Sequence, residues 1–262
     1  MSRTRLYIRL LGAHLRALLE YEADFWILAV ATVLMQVANI VFLTSLFAKV
    51  PELRGWSFWD MVLLFGVVAF AEGIGSFLFE GMWQLARQIN TGELDYFMVR
   101  PYPVVLQSSS AEVGINGLSN TVIGALMIGT AVAHVEVSWS PWTVALAVLM
   151  LLSAVVIKVS INLGTNSVAF WLSGPTPLFA FAVHQAGDLA RFPLSIYPVA
   201  LKAVLGIVLP FAFVSFFPVA YLRGIGQTPW VGLLTPLVAA YCVVVANFIF
   251  KRGLLRYESA GN

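Results

Sequence analysis

Few side chains in this sequence can do chemistry inside an apolar environment, and their types narrow what that chemistry is. Glu72 is the one acid within a long apolar run, flanked by Gly73 and Gly75, with Ser76 and Glu80 one and two turns further on. A carboxylate in such a run is costly unless it is protonated, paired or turned to water. Glu72 therefore reads either as part of a pathway or as a hydrogen-bonded residue at a helix contact. Lys158 interrupts another apolar run and is its candidate partner if the fold brings both to one depth; the competing reading lets its flexible stem carry the ammonium to the headgroups. Gln36 and Asn39 share one side of the first run, and Asn116 and Asn120 lie on a face that Gly124 continues. These four, with Glu72 and Lys158, are the candidate pathway or helix-contact residues.

Other chemistries lack their residues. A phosphate-cradling loop ends in Gly-Lys-Ser/Thr, yet Lys49, Lys158, Lys202 and Lys251 are followed by Val, Val, Ala and Arg. His14, His134 and His184 lie in different segments without metal-ligand spacing and read as surface or headgroup histidines. No nucleophile is paired with a base in a recognisable motif, so the expectation is a protein that is not an enzyme, with no catalytic, cofactor or metal site in this chain. The single cysteine, Cys242, permits no intrachain disulfide.

The elements that must position these residues are membrane spans. The 262 residues are 60% hydrophobic and 11% charged, with a mean hydropathy of +0.88, against roughly 45–50% and 25% in soluble domains. The net charge of +2 is too small to imply a nucleic-acid partner. Residues 25–48 carry no charge and reach about 36 Å as a helix, enough to span a bilayer. Five further spans are expected at 61–83, 113–133, 141–172, 199–222 and 231–250, the fifth kinked or broken by Pro210 and Pro218. The long apolar start is a span rather than a cleaved signal. Residues 1–23 read as an amphipathic helix in the membrane surface, with Arg5, Arg9 and Arg16 on one stripe and Leu10, Leu11 and Leu15 opposite. With the N-terminus inside, the inner segments hold Arg3, Arg5, Arg9, Arg16, Arg87, Arg100, Arg191, Lys251, Arg252 and Arg256, and the outer ones only Lys49, Arg54 and Arg223. That asymmetry puts both termini in the cytoplasm.

The longest polar break in the first half is 84–107, punctuated by Gly92, Pro101 and Pro103. Within it, Leu94, Phe97 and Met98 fall on one helical face, and Glu93, Asp95 and Arg100 surround them. Such a face needs a cover, either the headgroup region or a soluble partner. The run INTGELDYFMVRPYP (89–103) resembles the cytoplasmic loop between the second and third membrane helices of ABC-2-type transporter permeases, in the branch described as uncharacterised ABC-2 permease components. ARFPLSIYP (190–198) and LPFAFVSFFPVAYL (209–222) resemble the same branch, in the same order.

The resemblance implies an all-α integral membrane protein in the inner (plasma) membrane: an N-terminal interfacial helix at 1–23, a six-span domain at 24–250 and a cytoplasmic tail at 251–262. Within that domain, 84–107 is the coupling segment and 173–198 a second cytoplasmic segment. It also implies an exporter permease that docks an ABC ATPase, two copies per complex, through Glu93, Leu94, Asp95, Phe97, Met98 and Arg100. ATP and Mg would lie on that partner, and a second permease chain, identical or related, would complete a dimer. A carrier coupled to ions or protons through Glu72, and a non-transporting scaffold, are the rivals.

Overall fold

The computed structural model describes residues 7, 12, 22–172, 177–226 and 228–258, with the backbone alone at 22–25. The expected surface helix at 1–23 lies outside the described residues except at Tyr7, Gly12 and its last turn. Among the described residues there are helices and turns and no strand.

Helix α1, Glu22–Phe47, carries the uncharged run from Phe25 onward, and most of its apolar side chains from Trp26 to Phe42 are exposed, as a bilayer requires. Helix α2, Phe58–Phe79, starts with a capping box. The Asp60 carboxylate accepts from the Ser57 N–H at 2.9 Å, and Ser57 Oγ accepts from the Asp60 N–H at 3.3 Å. The backbone leaves the helical path at Phe79, and the Leu78 carbonyl next to this break accepts a hydrogen bond from the Tyr7 hydroxyl. The chain then continues through a 3-10 turn, Glu80–Gln84, into α3, Leu85–Asn90. Gly92, at φ 74°, turns the chain into α4, Glu93–Met98, and a loop leads to α5, Val104–Ser109.

Helix α6, Ile115–Val132, returns antiparallel to α2 in the closest packing of the molecule. A Cβ at Gly73 would lie 2.4 Å from the Thr121 nitrogen, and one at Gly124 only 2.5 Å from that of Phe70. In a membrane, where lipid is as apolar as the helix, such backbone approach drives helix association. Gly129, further along α6, faces open space.

Helix α7, Pro141–Asn166, carries Ser140 as N-cap and proline in its first turn, then tightens into a 3-10 turn, Ser167–Phe170. Helix α8, Leu178–Gly187, follows, and α9, Val199–Ala203, runs into a π-helical turn, Val204–Val208. After the break at Pro210 comes α10, Phe216–Arg223, and the chain closes with α11, Thr235–Leu254.

Among the described residues, five helices are long and apolar enough to cross a membrane: Trp26–Phe47, Phe58–Asn90, Ile115–Val132, Pro141–Phe170 and Pro229–Leu254. The stretch 199–222, expected as a span kinked or broken by Pro210 and Pro218, is broken at Pro210 into two short helices, and Pro218 lies within the second. Val204–Val208 widens to a π turn, and Pro210 withholds its N–H and interrupts the path. Helices α7 and α11 end side by side. The Phe170 and Phe250 rings are 5.7 Å apart, and Phe170 lies against Gly253. The residues between them therefore carry the chain from this lower end to the upper end, where Gly232 abuts Phe217 at the start of α11.

Candidate functional site

Glu72 sits near the middle of the rod formed by residues 58–90, and α7 packs along that rod. Lys158 Nζ lies 2.5 Å from Glu72 Oε2, and His184 Nδ1, from α8, lies 3.7 Å from Oε1. Lys158 is only 7% exposed, its ammonium 5.5 Å from the centre of the Phe211 ring. The headgroup reading of Lys158 is thereby corrected, because the 58–90 rod and the turn at Phe211 cover the ammonium and Glu72 neutralises it. His184 is likewise no headgroup histidine, since it meets Trp83 edge to face at 5.0 Å and turns to Glu72. Asn162, Thr165 and Ser76 help line the cleft among these groups, whose free space of about 20 Å³ is room for about one water molecule. A buried pair costs desolvation that only good geometry offsets.

The other candidate polar residues form separate contacts. Gln36 Nε2 donates to Asn120 Oδ1 at 3.0 Å, and Asn39 Nδ2 donates to Gln36 Oε1 at 3.1 Å, fastening α1 to α6. Ser76 Oγ donates to Glu80 Oε2 at 2.5 Å and lies 3.4 Å from Asn116 Oδ1. The structure thus brings Glu72 and Lys158 together and leaves Gln36, Asn39, Asn116 and Asn120 at helix contacts.

A second ion pair on α2 escaped the sequence reading. Asp60 is fully buried, Arg223 Nε donates to its Oδ1 at 2.6 Å, and Arg223 Nη1 donates to the Glu136 carbonyl at 2.7 Å. The Ser-x-x-Asp spacing before an apolar run marks Asp60 as a capping residue; nothing local marks Arg223 as its partner.

The polar segment is a compact unit on the lower end. Leu94 is 0% and Phe97 8% exposed, packed with Met82, Leu85, Leu163, Ala246 and Phe250. This corrects the docking face, because these two side chains are covered by the chain's own α7 and α11 and are not available to a partner. Glu93 is paired with Arg87 at 3.1 Å, and Arg87 also holds Glu112 at 3.1 Å. Asp95 faces Tyr257, whose phenol is pushed up to about 12 by burial and by that carboxylate. Gln107 Nε2 donates to the carbonyls of Phe97 and Tyr102 at 2.9 and 3.0 Å, and Ser108 Oγ donates to Gln88 Oε1 at 2.6 Å. What the unit presents outward is Tyr96, Met98 (48% exposed), Val99 (82% exposed) and Arg100. Among the described residues, no three His, Cys, Asp or Glu side chains cluster as a metal would require.

The family profile described as ABC-2 family transporter protein matches residues 33–261. No curated protein and no solved structure matches the chain.

Proposed function

This chain belongs to the ABC-2 family of transporter proteins, and from that premise we propose that it is an exporter's permease subunit, docking a separate ATPase through the tip of the 84–112 segment. Membrane components of this family work with an ABC ATPase. The observation that carries the proposal is the build of the tip. Its inner face is tied into α7 and α11 through Leu94 and Phe97, while Met98, Val99 and Arg100 stand out from it. An exposed apolar anchor beside a charge, on a unit held rigid from behind, suits a docking knob that must pass motion to the spans.

Two ATPases, carrying ATP and Mg, would serve a complex of two permease chains, identical or related. The basic asymmetry supports a cytoplasmic lower end with both termini there. The parallel course of α7 and α11 supports six crossings, with 177–223 as the crossing built from pieces.

The test is co-purification. Val99→Asp combined with Arg100→Glu is expected to weaken ATPase retention about thirtyfold, the effect of losing roughly 2 kcal/mol at a hot spot. Retention at the wild-type level, in a variant that melts normally, overturns this assignment of the docking face.

A second reading has the buried Glu72–Lys158 pair in its favour: a carrier driven by an ion or proton gradient through Glu72. Accumulation of substrate by the purified chain in proteoliposomes under an imposed gradient, without an ATPase, would establish that reading instead.

A further inference from the structure

Lys158 is the only buried lysine or arginine among the described residues. Its counter-ion is held at one oxygen. Glu72 Oε2 is 2.5 Å from the ammonium, whereas Oε1 faces His184 Nδ1 at 3.7 Å, too far for a hydrogen bond. A carboxylate anchored at one end on a flexible stem can be exchanged for another anion at small geometric cost.

The surroundings decide the sign of what would replace it. Arg191 is near enough for its charge to be felt at Glu72, and its own partner, Asp188, is already engaged at 3.0 Å. Glu80 is taken up by Ser76. With the Glu72 carboxylate swung aside, the cleft presents the Lys158 ammonium and the His184 imidazole, which suit an anionic head and offer a quaternary ammonium no partner. Asn162 lines the same cleft; its carboxamide oxygen accepts from Asn166 Nδ2 at 2.5 Å, so its NH₂ is what it has to offer a ligand.

The shape adds the other half. Ile161 and Thr165 line the cleft and also border an apolar groove of about 270 Å³. That groove runs between α7, α11 and the interrupted turn at Pro210, with Phe179 and Val245 on its walls. The polar cleft and the apolar groove are thus neighbours along α7, with Ile161 and Thr165 common to both walls.

We propose that this chain binds an amphiphile with one anionic head, a carboxylate or phosphate, and an aliphatic tail. The head takes the place of Glu72 on Lys158 and the tail lies in the groove against α11. The proposal deepens the transporter reading, on which it rests, by naming a substrate class.

The experiment uses the purified full chain in neutral maltoside micelles, with dodecyl phosphate as probe and dodecyltrimethylammonium as its cationic counterpart. Wild type is expected to bind the phosphate and not the cation. Glu72→Gln removes the competing carboxylate and should tighten dodecyl phosphate about tenfold. Lys158→Gln should weaken it about thirtyfold or more, the scale of losing one partner of a buried charge contact. Val245→Trp, which fills the groove, should weaken dodecyl phosphate while leaving butyl phosphate unchanged. If a single variant does not fold, the neutral pair Glu72→Gln with Lys158→Gln serves, and it should bind neither probe.

Mass spectrometry of the unsupplemented protein separates the two sources of such a ligand. A resident lipid is seen in wild type and lost in Lys158→Gln, whereas a transported amphiphile binds only when added. Equal binding of the cationic probe, or unchanged dodecyl phosphate affinity in both Glu72→Gln and Lys158→Gln, overturns the proposal. ATPase retention by the same preparations is scored separately, so the docking reading can stand when this one falls.

Discussion

Two ion pairs share helix α2, about 18 Å apart along its axis by helical rise, and they are built differently. At the upper end, Asp60 receives the Ser57 N–H and hydroxyl as well as the Arg223 guanidinium, and Arg223 spends a further N–H on the Glu136 carbonyl. In the middle, Glu72 holds Lys158 through one oxygen and leaves the other facing His184 beyond hydrogen-bond reach. The cations differ as well, since an arginine guanidinium is a planar, rigid fork and a lysine ammonium is a point charge on a flexible stem. A saturated pair between fixed groups fastens helices; a pair with a spare oxygen and a flexible cation can change partners. The first ties α10 to the start of α2, and the second joins α2, α7 and α8 at the cleft.

The largest effect should come from breaking the saturated pair. Asp60→Ala removes a fully buried carboxylate that caps α2 and holds the largely covered Arg223 guanidinium, and should cost about 3 kcal/mol, read as a lowered melting temperature in detergent. A wild-type melting curve would erase the distinction between the pairs. Glu72→Gln should cost less, about 1–3 kcal/mol, because the carboxamide oxygen can still accept from Lys158; here altered transport with near-normal folding is expected. A loss as large as that of Asp60→Ala would make the central pair another fastener. Replacing both partners, Glu72→Gln with Lys158→Met, should return stability to within about 1 kcal/mol of wild type while leaving transport impaired. The smallest effect is expected of Ser57→Ala, about 1 kcal/mol: it removes one of several donors on Asp60 and should leave any ligand bound at Glu72 and Lys158 undisturbed.

The polar segment shows how far a pattern can be read. The periodicity of Leu94 and Phe97 marks a face that must be covered, and it is covered. It does not say by what, because an apolar face has the same spacing whether a neighbouring helix or another protein lies on it. Met98, grouped with them by that spacing, is half exposed, and the outward-facing Val99 carried no periodic signal. Likewise Glu93 and Asp95, read as a charged rim for a partner, turn to Arg87 and Tyr257 of the same chain.

What the sequence by itself determined are the properties set by runs of consecutive residues. Length and apolarity of 25–48, 61–83, 113–133, 141–172 and 231–250 suffice to specify membrane helices, because in lipid each backbone N–H and C=O must be satisfied within its own segment. Glycine and proline placed the breaks, and the isolation of Glu72 marked it as a residue with a cost to offset. What only the tertiary structure decided is who meets whom. The partnership of Glu72 with Lys158 and His184, the clamp from Asp60 to Arg223, and the cover over Leu94 and Phe97 each join residues far apart in sequence. The placing of Phe211, in the break of 199–222, over Lys158 belongs there too. Pairing depends on depth and rotation of whole helices, and these follow from close backbone contacts such as Gly73 against Thr121, which no local pattern of apolar and polar residues encodes.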